Sequence, residues 1–188
     1  MKKIVLASLL AFGLTASAIA SEDGSGAYIG LGYGSTAFDK GDAISGVKDD
    51  SDSGYKVYGG YLFNKVVGIE AAYTDYGDFA YVTNTTLSPT AISLAANLGY
   101  TFLNGQLRPY ALAGLSYLDL AQGGTAYYDD DNTVAFAYGA GIEYSPTILK
   151  GLGFRASWNA DVYVVDPIIT DDYTQTLGMF NISVQYKF

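Results

Sequence analysis

The chain has no cysteine and no histidine. Without cysteine there is neither a disulfide framework nor a thiolate metal site. Without imidazole, a general base working near neutral pH would have to be a shifted carboxylate or lysine, and no serine stands beside such a group in a convincing constellation. The sequence therefore argues against an enzyme, and it calls for no cofactor. Charge is scarce as well: Asp, Glu, Lys and Arg make up 15% of the 188 residues, against about 25% in a typical soluble domain. Basic residues are the scarcer sign, 10 against 19 acidic ones for a formal charge of −9. Phosphate backbones need a basic face, so nucleic acid is excluded as a partner. Past residue 20 no uninterrupted apolar run approaches the length of a spanning helix, which needs about 20 residues.

Apolar residues are plentiful nonetheless, at 49%, and so are aromatics and glycine, with 18 Tyr, 9 Phe and 23 Gly beside only 4 Pro. That composition is expected of an all-β chain with aromatic girdles. At the N-terminus Lys2 and Lys3 precede an apolar run from Ile4 to Leu14, and small residues follow at Ala18-Ile19-Ala20. This order predicts a secretory signal peptide over residues 1–20 and a single domain over residues 21–188. Removing the first 20 residues takes away two lysines, so 188 residues and a charge of −9 become 168 residues and −11.

Period-two alternation runs through the domain. It is cleanest in the last segment, where Phe180, Ile182, Val184, Tyr186 and Phe188 share one face and Asn181, Ser183, Gln185 and Lys187 the other. The same reading predicts seven earlier strands. The first, about Ala27 to Phe38, sets Ala27, Ile29, Leu31 and Tyr33 against Tyr28, Gly30, Gly32 and Gly34. Its Gly-x-Gly-x-Gly is half a phosphate loop, but a dinucleotide fingerprint needs a helix next and a polar segment follows. Glycines facing a narrow lumen beside bulky Tyr28 are the better account. Strand two (Tyr55 to Phe63) carries Lys56 inward and strand three (Val67 to Thr74) carries Glu70. Strand four (Ile92 to Phe102) ends at Asn104-Gly105, which predicts a two-residue type I′ hairpin and places Arg108 inward on strand five, Leu107 to about Leu120. Strand five has two rather apolar faces, and Tyr110 and Leu112 point inward with Arg108. Strand six (Val134 to Tyr144) puts Glu143 inside, and strand seven (Leu152 to Asp161) puts Arg155 and Asp161 inside.

The connections sort themselves. Those after strands two, four and six are short, whereas those after one, three, five and seven are long and polar, Ser35 to Ser53 being the longest. A soluble sandwich has no reason to alternate long and short, but a membrane barrel does, with tight periplasmic turns and long external loops. The fold expected is all-β: an eight-stranded antiparallel up-and-down transmembrane barrel, with both termini periplasmic and the long loops extracellular. Closure satisfies every backbone group within hydrocarbon and removes the exposed edges.

Gly54-Tyr55-Lys56-Val57 with Gly60-Tyr61, Gly68-Ile69-Glu70 with Tyr73, Arg108-Pro109-Tyr110 with Gly114, and the closing Gln185-Tyr186-Lys187-Phe188 resemble the small eight-stranded bacterial outer-membrane barrels: the OmpA transmembrane domain, OmpX and the opacity-type surface proteins. The resemblance implies a Gram-negative outer membrane, contact with its lipid and lipopolysaccharide, a monomeric state, and a role residing mainly in the loops, host or cell-surface ligands included. It also implies that Phe180, Ile182, Val184, Tyr186 and Phe188, ending on an aromatic residue, are an assembly signal for the barrel-assembly machinery. The small-barrel enzymes, namely lipid A palmitoyltransferases and deacylases with the larger omptin proteases, resemble one another in using a histidine that this chain lacks.

Seven inner charges of both signs, Lys56, Glu70, Arg108, Glu143, Arg155, Asp161 and Lys187, line the expected lumen. A selective ion path and a plug of paired charges both fit them; an eight-stranded barrel is only just wide enough for its side chains, which favours the plug. Glu143 on strand six is expected to pair with Arg155 on strand seven. The acidic runs Asp129-Asp130-Asp131, Asp49-Asp50-Ser51-Asp52 and Asp171-Asp172 lack calcium-loop spacing and fit solvated loops better than a cation site. The function expected is a non-enzymatic structural or surface-interaction role with long acidic external loops. A small passive channel for ions or small solutes is the alternative, to which inward Tyr110 and Leu112 lend some support.

Overall fold

A computed structural model of the protein describes residues 24–39, 50–82, 85–124, 132–165 and 173–188. The expected signal peptide, Asp49, Asp129-Asp130-Asp131 and Asp171-Asp172 lie outside the described residues. The strands are β1 Gly26–Asp39, β2 Asp50–Leu62, β3 Val67–Asp75, β4 Phe79–Val82, β5 Thr85–Leu87, β6 Thr90–Gly99, β7 Leu107–Asp119, β8 Gln122–Gly124, β9 Asn132–Tyr144, β10 Leu152–Val165 and β11 Tyr173–Lys187. Eight of them close into a barrel in the order β1-β11-β10-β9-β7-β6-β3-β2, and the three short ones, β4-β5-β8, form a separate small sheet. Every pairing is antiparallel.

The barrel closes where β1 meets β11, from Tyr28↔Lys187 to Asp39↔Thr176. Phe188 N–H donates to Ala27 O at 2.9 Å, so the described start and end of the chain meet at one rim. That rim also carries the short turns and is called here the terminal end; the other is the loop end.

The outer face shows why these strands are stable in hydrocarbon. Leu31, Leu94, Leu98, Leu115, Ile142 and Ile182 are all at least half exposed. Two rings of aromatic residues bracket this band: Tyr33, Tyr55, Tyr117, Trp158 and Phe180 toward the loop end, Tyr61, Phe63, Tyr100, Phe102, Tyr144 and Tyr186 toward the terminal end. Tyr55 and Phe63 stand eight residues apart, about 26 Å along a strand before tilt. Tilted by about 35–45°, that stretch spans about 20 Å of membrane depth, somewhat less than the roughly 25 Å apolar band of an outer-membrane barrel.

Beyond the loop-end ring the alternation continues with its polarity reversed. On β1, β2 and β11 the outward residues become Ser35, Asp39, Ser53 and Thr174, all exposed, with β10 keeping an exposed Val164 on that face, while Phe38, Tyr76, Phe79, Leu87, Leu118, Leu120, Tyr163, Leu177 and Met179 form one buried apolar cluster inside. This is why β10 and β11 reach Val165 and start at Tyr173, rather than stopping at Asp161 and starting at Phe180. Apolar-out patterning ends where hydrocarbon ends, and the same strands go on as a water-exposed barrel with its own core.

The hairpin at Asn104-Gly105 differs from the tight turn expected. Phe102 bridges Leu107, leaving Leu103 to Gln106 as the loop, with Leu103, Asn104 and Gly105 at φ 50°, 55° and 93°. Asn and Gly accept the left-handed region readily and Leu103 is carried into it with them. The register survives, Gly99 pairing with Tyr110, so Arg108 still faces inward.

Candidate functional site: the barrel lumen

The lumen is built from reciprocal partners. Tyr28 on β1 lies opposite Gly60 on β2, and Gly30 opposite Tyr58. A Cβ on Gly60 would strike the Tyr28 ring and one on Gly30 the Tyr58 ring, so each glycine makes room for its neighbour's tyrosine. The two rings meet edge-on with centroids 6.3 Å apart. Together with Tyr110 of β7 they surround the Arg155 guanidinium at 4.7–4.8 Å.

Charge runs through that cage. Glu70 Oε1 lies 3.3 Å from Lys56 Nζ and Glu70 Oε2 lies 2.7 Å from Arg155 Nη1, while Arg155 Nη2 lies 3.3 Å from Glu143 Oε2. Glu70 also accepts from Tyr28 Oη at 2.9 Å and Asn97 Nδ2 at 3.4 Å. Four strands thus contribute Lys56, Glu70, Arg155 and Glu143 to one buried ladder. The three other predicted charges sit elsewhere. Asp161 takes hydrogen bonds from Tyr76 Oη at 2.6 Å and Ser116 Oγ at 2.7 Å. Arg108 reaches Asn97 Oδ1 at 2.8 Å, and Lys187 donates to Gly24 O at 2.6 Å at the terminal rim.

Along the axis the ladder and the tyrosine cage fill the middle, and the apolar cluster of Phe79, Leu87, Leu118 and Leu177 fills the loop end. A void of about 30 Å³ separates them, with Glu70, Thr74, Tyr76 and Asp161 on its wall. Toward the terminal end the lumen widens into a vestibule of about 610 Å³. No group of three or more Asp or Glu among the described residues is placed to hold a metal ion.

The outer membrane protein beta-barrel domain family matches residues 4–188. The chain belongs to this family. Among curated proteins nothing matches it. Among solved structures this outer-membrane barrel is similar to Neisserial surface protein A (TM-score 0.61, 16% identity, 88% of this chain and 99% of that one). It is also similar to Ail, the attachment invasion locus protein of Yersinia pestis, in complex with the heparin analogue sucrose octasulfate (0.58, 18%, 87% and 99%). A third likeness is to the outer membrane protein OprG of Pseudomonas aeruginosa (0.55, 15%, 87% and 96%). At these identities the likeness is one of fold.

Four of the seven inner charges of this outer-membrane barrel, Lys56, Glu70, Arg155 and Glu143, are held in ion pairs. Glu70 and Arg155 are each 2–3% exposed and each has two ionic partners, so neither carboxylate nor guanidinium is free to escort a solute. The tyrosines around Arg155 and the Asn97 bridge are the lumen residues that charge patterning alone misses. Their signal was the large side chain opposite glycine on the inner face.

Proposed function

We propose that the protein is a non-enzymatic, closed barrel that acts at the cell surface through its long loops, with its terminal end in the periplasm. The observation that carries this reading is the blocked axis: the ladder Lys56–Glu70–Arg155–Glu143 lies in series with an apolar cluster at the loop end. Ions entering from either side meet a filled cross-section. Tyr110 and Leu112, the inward apolar residues that lend a channel some support, are both buried, and Tyr110 packs against Arg155, which supports the closed reading.

The loop-end sequence fits a surface role of a particular sign. Residues 119–131 contain four Asp and no Lys or Arg, and 166–172 contain three Asp and again no basic residue. Ail is described with a heparin analogue. This chain's loops would repel such a polyanion, so a cationic or neutral surface is the better partner. Outer-membrane lipid, lipopolysaccharide and the barrel-assembly machinery acting on Phe180, Ile182, Val184, Tyr186 and Phe188 complete the set of proposed partners, with the barrel as a monomer. Planar-bilayer recording of the refolded protein tests the closed axis, with silence expected; discrete, reproducible openings would establish the channel instead. Replacing residues 40–49 or 125–131 by short neutral linkers and measuring cell adhesion tests the loops, and unchanged adhesion in both would remove the surface role.

A further inference from the structure

Asp161 is 4% exposed, and among the described residues no Lys or Arg is paired with it. Its two oxygens accept one hydroxyl each, from Ser116 and Tyr76, so each oxygen keeps further capacity to accept. On the wall of the same void stands Lys56, also buried. One of its three N–H donors goes to Glu70 Oε1 at 3.3 Å, and no second acceptor meets it among the described residues. Thr74 and Ser93 line the void as well. Thr74 is 7% exposed, and neither hydroxyl is hydrogen-bonded among the described residues.

A buried carboxylate without a cation and a buried ammonium with unmet donors are both costly, and bare hydroxyls add to the cost. All four groups border one space of about 30 Å³. A polar void admits a water from about 10–15 Å³ upward, and a buried water makes about three hydrogen bonds. The signs on the wall select the occupant. An anion would face Glu70 and Asp161, and a second cation would face Lys56. A neutral molecule that donates to Asp161 and accepts from Lys56 suits both sides.

We propose that one or two ordered waters in this void bridge Lys56 to Asp161, and that the bridge joins the ionic ladder to the loop-end core. Asp161 holds the Tyr76 hydroxyl; the Tyr76 N–H donates to Pro89 O at 3.0 Å, and the Tyr76 carbonyl accepts from Thr36 Oγ1 at 2.7 Å. The polar network therefore runs from Glu143 through Arg155, Glu70, Lys56 and water to the residues that precede β4 and β6. A change in the ladder is felt at the loop end through Tyr76. The bridge stands whether or not the loops act at a surface.

The test uses the refolded full barrel, isotope-labelled, in nanodiscs of zwitterionic lipid at pH 7. Cross-relaxation from water that tumbles with the protein is expected at the Thr74 methyl and the Ser93 Cβ protons. Lys56→Met and Asp161→Asn, alone and together, should couple by about tenfold in the unfolding equilibrium constant, as contacts within one polar network do. Ser93→Val fills the void and should cut that coupling to about twofold or less, the range of independent sites. In Lys56→Met the Tyr76 amide should exchange about tenfold faster by the same coupling, while the Gly99 amide, which donates to Val66 O at the other end of the barrel, keeps its rate. The water signal is read on the unaltered protein, so the proposal stays testable where a lumen variant fails to refold. It is overturned by the absence of that signal, by additive effects of Lys56→Met and Asp161→Asn, by a coupling unchanged in Ser93→Val, or by a Tyr76 exchange rate indifferent to Lys56. Resonance shifts that saturate with sodium chloride but not with N-methylglucamine chloride would identify a bound cation and overturn it as well.

Discussion

Glu70 is the residue on which most of the lumen converges. It meets two cations and accepts from two neutral donors, whereas Glu143 meets one cation and one hydroxyl. Breaking a buried pair from one side leaves the other charge uncompensated, which costs about 3–5 kcal/mol. Glu70→Gln is therefore expected to lower unfolding free energy by that amount in phospholipid vesicles, and Glu143→Gln by clearly less. A double-mutant cycle on Glu143→Gln with Arg155→Met should still show coupling; its absence, or equal losses for the two glutamates, would dismiss the ladder as a source of stability. A second residue-scale device lies outside the membrane band. Asp78 N–H donates to Asp52 Oδ2 at 2.8 Å, and together with the Ser53 N–H it holds the Asp52 carboxyl below the usual carboxylate range. A depressed value means that the tie between β2 and the turn before β4 is whole at neutral pH and fails only as pH falls through that value, below about 3.9. The Asp78 amide resonance should follow that titration, and an amide indifferent to pH between about 2 and 6 would show that the tie is not made.

At the scale of the element, legibility depended on where the strand lies. Inside the bilayer an apolar outer face and a polar inner face are enforced together, so strands such as β6 and β9 could be read from alternate residues. At the loop end the period persists but the polarity flips, and Tyr163, Leu177 and Met179 look like loop residues to anyone searching for apolar-out patterning. The ladder was legible as a set of inward charges because phase alone assigns a side chain to the lumen. Its pairing was legible only between neighbouring strands: Glu143 and Arg155 pair as expected, whereas the Glu70–Arg155 contact joins residues 85 apart on strands that are not neighbours in the sheet. β11 itself carries the next prediction. Phe188 packs edge-on against Tyr186 at 5.2 Å and is not deeply buried, so Phe188→Ala should reduce the amount assembled in the outer membrane more than the stability of barrel already folded. Heat-shifted gel mobility of membrane fractions compared with unfolding of purified protein would decide; equal losses would leave Phe188 as ordinary packing.

Taken whole, the proposed closed barrel rests on two layers, one ionic and one apolar. Leu118→Ala hollows the apolar one, at a cost of about 2–5 kcal/mol for a buried leucine, and Arg155→Met removes the centre of the ionic one. Each variant alone is expected to stay silent in a planar bilayer and the pair to conduct; conduction by either single variant would show that one layer does all the sealing. The seam between β1 and β11 has a further consequence. Its register extends over twelve residue pairs, as long as the internal pairings, and the two ends of the described chain touch across it. Mechanically the barrel is a ring with no privileged joint. A chain rejoined from 188 to 24 and reopened at Asn104 should fold to the same ring, because circular permutation is tolerated where termini adjoin and the new break falls in an exposed turn. Such a permutant would keep every strand pairing and yet end on a different strand, turning the closing aromatic from a structural position into an address that can be moved around the circle.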